Sequence, residues 1–132
     1  MHYAAVLEYL KEIQGENFKL SLDNIQRIIR HAPFAAGRVR YVQVGGTNGK
    51  GSTSHFIASI LRCAGWRVGL FTSPHLQDVR ERIQVDGRLI SRSDFARAVS
   101  VVRRLAERLM AQGEIANLPT FFETLFLASL YH

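Results

Sequence analysis

Val44-Gly45-Gly46-Thr47-Asn48-Gly49-Lys50-Gly51-Ser52 decides how the rest of the chain is read. An apolar, strand-like segment, Arg40-Tyr41-Val42-Gln43-Val44, runs into it. A helical pattern with Phe56, Ile57, Ile60, Leu61 and Ala64 on one face runs out of it. A strand feeding a glycine-rich turn that opens a helix is a geometry that holds phosphate. Glycines let consecutive N–H groups point inward, and a helix start adds unpaired donors and partial positive charge. Lys50 adds a full positive charge. The common phosphate-loop pattern has Gly at its first position and Ser or Thr straight after the lysine. Here Val44 and Gly51 stand at those places, and the hydroxyls arrive later, at Ser52 and Thr53. A plain GTPase or kinase reading is weakened accordingly. The bland alternative is a surface turn with an incidental lysine.

The departures are informative. Gly46-Thr47-Asn48-Gly49-Lys50-Gly51-Ser52 resembles the ATP loop of the Mur-ligase superfamily, and its Gly-Ser ending resembles the folylpolyglutamate synthase and dihydrofolate synthase branch. Thr72-Ser73-Pro74-His75-Leu76 with Glu81-Arg82-Ile83 resembles that family's second motif, and Thr120-Phe121-Phe122-Glu123 its third. The resemblance runs from about Leu20 to the end and covers the opening part of such an enzyme. It implies an α/β fold of P-loop type, a mostly parallel sheet flanked by helices. It implies ATP-dependent amide ligation, adding L-glutamate to dihydropteroate or a folate, with ATP and Mg²⁺ as cofactors. Lys50 is then the catalytic cation. Gly46, Thr47, Asn48, Gly49, Gly51, Ser52 and Thr53 join it in holding ATP, Ser73 and Glu123 ligate the metal, and His75 and Arg82 face the substrate. A Mur-type peptidoglycan-precursor ligase and a nucleotide-binding module without chemistry are the competing readings.

Each remote residue also has a local reading. Thr120-x-x-Glu123 is a capping box, in which Glu123 returns a hydrogen bond to the Thr120 N–H. Spacing alone favours that over a metal ligand; only the resemblance tips the balance. Ser73 could serve a local turn, and His75 could bond nearby backbone. His55, one turn into the loop helix, reads as packing or exposure. Glu81 and Arg82 either contact substrate or fix their own loop, and the sequence leaves that open. No spacing supports a Ser-His-Asp arrangement or a Cys/His zinc site.

The chain has 132 residues, 47% apolar and 21% charged, enough for one domain with a real core. No stretch has the length of a membrane span, and the start lacks the features of a secretory signal. The lone Cys63 rules out an internal disulfide and suits a reducing, cytoplasmic setting; its helical position suggests a buried thiol. The formal charge of +6 is dispersed, and Arg97, Arg103, Arg104 and Arg108 read as the solvated face of one helix. Anionic substrates fit this better than nucleic acid.

In order, residues 1–37 read as a helical lead-in to the sheet and 38–132 as the P-loop core, together one partial domain. Tyr3, Val6, Leu7 and Leu10 have helical spacing up to Gly15. Ser21 can cap a helix with Leu22, Ile25, Ile28 and Ile29 inward, and Pro33 ends it. Ala35-Ala36-Gly37 connects to a strand at Arg38–Val44. The loop helix runs to Gly65, and Trp66–Phe71 is a second strand, which a long crossover would set parallel to the first. That would bring Ser73 and His75 to the phosphate edge. Glu81–Val85 and Arg88–Ile90 form a hairpin about Asp86-Gly87. A helix with Phe95, Ala98, Val99, Val102, Leu105 and Leu109 inward follows, broken by Gly113. Thr120 opens a last helix, apolar nearly all round. Two parallel strands cannot complete such a sheet, so the expectation is an N-terminal fragment, inactive alone, lacking the C-terminal ligase domain and prone to self-association.

Overall fold

The computed structural model describes residues 1–15, 22–32 and 39–132. The expected Ser21 cap, Pro33 stop, Ala35–Gly37 connection and Arg38 strand start lie outside those residues. The chain is α/β and forms two compact units, Met1–Gly37 with Arg92–His132, and Arg38–Ser91.

The first unit is helical. It holds α1 (Tyr3–Glu12) with a 3₁₀ turn at Ile13–Gly15, α2 (Asp23–His31), α4 (Arg92–Ala111) and α5 (Phe121–Tyr131). The stripe expected on α4 is its buried face: Phe95, Ala98, Val99, Val102, Leu105 and Leu109 are all buried, spaced three and four apart as a helix face requires. Val6 and Leu10 of α1 and Leu125, Leu127 and Ala128 of α5 are buried too. Tyr3 meets Phe95 edge to face at 6.0 Å between ring centroids. The lead-in helices were expected to pack on the sheet; the packing seen is α1 against α4, and α2 against α4 and α5. Side chains tie α2 to the segment before α5: Asn24 donates to the Asn117 carbonyl at 3.0 Å and Arg27 to that of Glu114 at 3.1 Å. Leu22, expected inward, is exposed, whereas Ile28 is fully buried. Arg97 and Arg103 pair with Asp94 and Glu107 along the helix, as a solvated face does.

The second unit holds α3 (Lys50–Cys63) and strands β1 (Gly69–Phe71), β2 (Ile83–Val85) and β3 (Arg88–Leu89). The sheet order is β1-β2-β3 and both pairings are antiparallel, with Leu70 opposite Gln84 and Val85 opposite Arg88. The expected parallel pairing of the first two strands is not among these pairings. The described part of the expected first strand, 39–44, lies in no strand. Parallel pairing needs a crossover and cover on both faces, whereas an antiparallel strand pairs with a neighbour across two residues. The two-residue turn joins β2 to β3, while β1 pairs with β2 across the longer segment 72–82. The hairpin turn is as read: Asp86 and Gly87 both have positive φ, 51° and 75°. Asp86 also accepts the Val68 N–H at 2.8 Å. A Cβ on Gly87 would collide with the Arg62 guanidinium as well as strain the backbone. Gly87→Ala is expected to cost about 1–2 kcal/mol, read by urea denaturation; a loss under about 0.3 kcal/mol would mean the turn tolerates a side chain.

α3 buries only Ala58. Phe56 and Ile60, on its apolar stripe, are 70% and 67% exposed, and Trp66 is exposed as well. Cys63 is exposed, against the expectation of a buried thiol. Periodicity marks an apolar face but not what covers it. No helix among the described residues is long and apolar enough to cross a membrane.

Candidate functional site

The glycine loop ends in α3 as the sequence suggests. Gly49 is the N-cap residue in the left-handed region, φ 75°, and Gly46 has φ 151°, both positive values that favour glycine. The first helical hydrogen bond runs from Thr53 N–H to the Gly49 carbonyl at 2.9 Å. The amides of Lys50, Gly51 and Ser52 precede it and have no acceptor within the helix. No side chain caps this end, and no acidic residue lies in the first turn. The helix start is thus a concentrated patch of donors and partial positive charge, exposed to solvent from Gly45 through Thr53.

Lys50 folds back over the loop, donating from Nζ to the Gly46 carbonyl at 2.6 Å. Its ammonium therefore sits at the loop rather than extending into solvent. A phosphate oxygen arriving here meets a cation and several N–H donors at once. The Thr53 amide is used by the helix, which leaves its hydroxyl on offer. Ser54 and His55 bond back to the carbonyls of Lys50 and Gly51, so His55 serves its own helix, in line with the bland reading.

Ser73 and His75 follow β1, and the Ser73–Pro74 peptide is cis. Ser73 is exposed. The parallel edge expected to bring these residues to the phosphate loop is not the way this sheet is built. His75 instead meets Arg82: the guanidinium Nε–H donates to His75 Nδ1 at 2.9 Å. Arg82 is 9% exposed, and burial pulls its pKa below the ordinary arginine value.

Glu81 takes three amides. Its Oε2 accepts from Leu76 N–H at 2.7 Å, and its Oε1 from Gln77 and Asp78 N–H at 3.0 and 2.8 Å. These bonds, from Leu76 first and then Asp78 and Gln77, hold its pKa below the usual carboxylate value. Asp78 completes a reciprocal cap on the 3₁₀ turn Val79–Arg82, accepting from Arg80 N–H, and pairs with the Arg80 guanidinium at 2.7 Å. Asp78-x-x-Glu81 has capping-box spacing, a signal that the sequence reading passed over.

Glu123 lies in the helical unit and forms the capping box: Thr120 N–H donates to Glu123 Oε2 at 2.8 Å, and Glu123 N–H to Thr120 Oγ1 at 3.3 Å. No group of three or more His, Cys, Asp or Glu side chains among the described residues could hold a metal. Lys50, Ser73, His75 and Arg82 thus share one unit and Glu123 belongs to the other.

No protein-family model matches the chain. Among curated relatives, it is 37% identical over 132 residues to a probable bifunctional folylpolyglutamate synthase/dihydropteroate synthase of Haloferax volcanii, all of this chain and 15% of that protein. It is 40% identical over 118 residues to a folylpolyglutamate synthase of Arabidopsis thaliana, 89% of this chain and 20% of the relative. Identity to the dihydrofolate synthase/folylpolyglutamate synthase of Escherichia coli is 34% over 134 residues, 97% of this chain and 28% of that protein. Among solved structures, folylpolyglutamate synthetase from Lactobacillus casei superposes with a TM-score of 0.84 at 32% identity, over 99% of this chain and 33% of that one. An FPGS–AMPPCP–folate complex does so at 0.83, also at 32% identity and over 99% and 32%. The chain therefore spans a third or less of these relatives. Sequence and fold together place it in the folylpolyglutamate synthase/dihydrofolate synthase family, as the counterpart of a part of those longer proteins.

Proposed function

We propose that this chain is the phosphate-holding portion of an ATP-dependent ligase that adds L-glutamate to dihydropteroate or a folate. The observation that carries the reading is the loop before α3, where free first-turn amides and the Lys50 ammonium converge. The FPGS complex with AMPPCP and folate supports the ligand assignment. In the proposed reaction a substrate carboxylate attacks the γ-phosphorus of ATP, giving an acyl phosphate and ADP. The amino group of L-glutamate then attacks the acyl carbon, phosphate leaves, and the ammonium proton passes to solvent.

Lys50 neutralises the β- and γ-phosphates, exchanging the Gly46 carbonyl for phosphate oxygen. Gly46, Thr47, Asn48, Gly49, Gly51 and Ser52 shape the loop and donate from its backbone. Ser73 in one unit and Glu123 in the other are, each taken by itself, oxygen donors of the kind Mg²⁺ accepts, and Mg²⁺ takes most of its shell from water and phosphates. Glu123 has one oxygen committed to Thr120 and a second for the ion. When bound, the ion spreads phosphate charge.

Calorimetry tests the reading. MgATP is expected to bind, and a UDP-linked muramyl substrate is not; heat from the latter with none from folate would favour a Mur-type ligase. Glu123→Gln isolates the metal role, because glutamine still caps. Melting should be unchanged within about 0.5 kcal/mol, while the Mg²⁺ dependence of ATP binding weakens. Unchanged dependence would leave Glu123 as a cap alone.

A further inference from the structure

We propose that Glu81 and Arg82 are positioning residues that preform the 73–78 segment and hold the His75 ring with Nδ1 toward Arg82 and Nε2 as its hydrogen-bond donor. Resting on the folate-ligase reading, the acceptor is an oxygen of the pterin-bearing substrate. Three consecutive amides, Leu76, Gln77 and Asp78, converge on both oxygens of one carboxylate within 3.0 Å. Consecutive N–H groups face one point only when the backbone turns tightly, so the carboxylate holds the segment in that turn. The segment's far end is tied separately, since Arg80 binds Asp78 through several bonds and reaches the Ile90 carbonyl at 3.3 Å.

Arg82 acts on the side chain. Its guanidinium cannot accept a hydrogen bond and does not deprotonate. Donation from Nε to His75 Nδ1 therefore requires a lone pair on Nδ1. The ring proton then resides on Nε2, leaving that nitrogen as a donor. Arg82 is thereby removed from direct substrate contact at Nε and acts through His75.

The pH sense follows from Glu81. Its carboxyl is held below the ordinary value, so the clamp is complete above the ordinary carboxylate pKa and is lost as pH falls through the depressed one. The titratable and charged groups about it are the His75 ring and the Asp78–Arg80 pair.

Nuclear magnetic resonance on the 132-residue chain tests this without a ligand. At neutral pH the Leu76, Gln77 and Asp78 amides should exchange about tenfold or more slowly than in Glu81→Gln, which offers one acceptor oxygen in place of two. Amides of α4 should not change. Long-range ¹H–¹⁵N correlation should place the His75 proton on Nε2, and Arg82→Met should give a tautomer mixture. Arg82→Lys, which keeps the charge, serves if the methionine variant does not fold, and it too should broaden the tautomer distribution. Equal amide exchange in wild type and Glu81→Gln overturns the clamp, and a proton on Nδ1 in wild type overturns the donor assignment. Folate titration decides the ligand separately: weaker binding in Glu81→Gln with unchanged MgATP binding is expected. No folate or MgATP binding in wild type would strike the ligase reading while leaving the clamp to the amide result.

Discussion

Replacing Lys50 with methionine is expected to weaken MgATP binding about 10–100-fold, as a lost charge-assisted contact worth about 1.5–3 kcal/mol implies. The lysine is exposed and its ammonium donates to a loop carbonyl, so folding gains little from its charge. Methionine is about as good a helix former as lysine, which preserves the start of α3. The expected signature is therefore a change in affinity without a change in melting. Arginine would keep the charge but carries a planar fork in place of a compact ammonium, so Lys50→Arg should fall between the two. Calorimetry at fixed Mg²⁺ reads both variants. An affinity for MgATP that is the same in Lys50→Met and wild type would show that the loop's backbone alone holds the ligand, or that phosphate binds elsewhere.

Phe95→Ala is expected to destabilise the helical unit by about 3–5 kcal/mol, the usual range for deleting a buried ring. Phe95 is fully buried at the start of the α4 stripe and packs edge to face on Tyr3. The cavity would open between α4 and α1, and the Tyr3 contact, of a kind worth about 0.5–1.5 kcal/mol, would go with it. Against a typical domain stability of about 5–15 kcal/mol this is a large fraction. Urea denaturation followed by circular dichroism should show an earlier midpoint. A loss below about 1 kcal/mol would mean that the stripe does not form the core described here. Phe56→Ala is the natural contrast, because Phe56 is 70% exposed and its removal creates no cavity.

The contrast between Phe95 and Phe56 also separates what could be read in the sequence from what could not. Both lie on apolar helical stripes. Only the α4 stripe found cover, from α1 and α5. Hydrophobic period identifies a face; its partner is set by residues far along the chain. The same limit explains Cys63, placed on a helix correctly but left exposed. The site divides similarly. The loop, its lysine and the helix it opens were legible because a phosphate loop is built within a few consecutive residues. His75 and Arg82 were legible as candidates, but their hydrogen bond was not.

By itself the sequence determined the local devices: the positive-φ glycines at 46, 49, 65, 87 and 113, the Asp86-Gly87 hairpin turn and the Thr120–Glu123 cap. Each depends on interactions within four residues, where side-chain type and spacing settle the geometry. Tertiary structure alone decided that β1 pairs antiparallel with the hairpin, that Glu81 gathers three amides, and that the lead-in helices join α4 and α5. Those outcomes depend on which distant segments meet, and strand direction, side-chain partner and burial are properties of the meeting rather than of either segment.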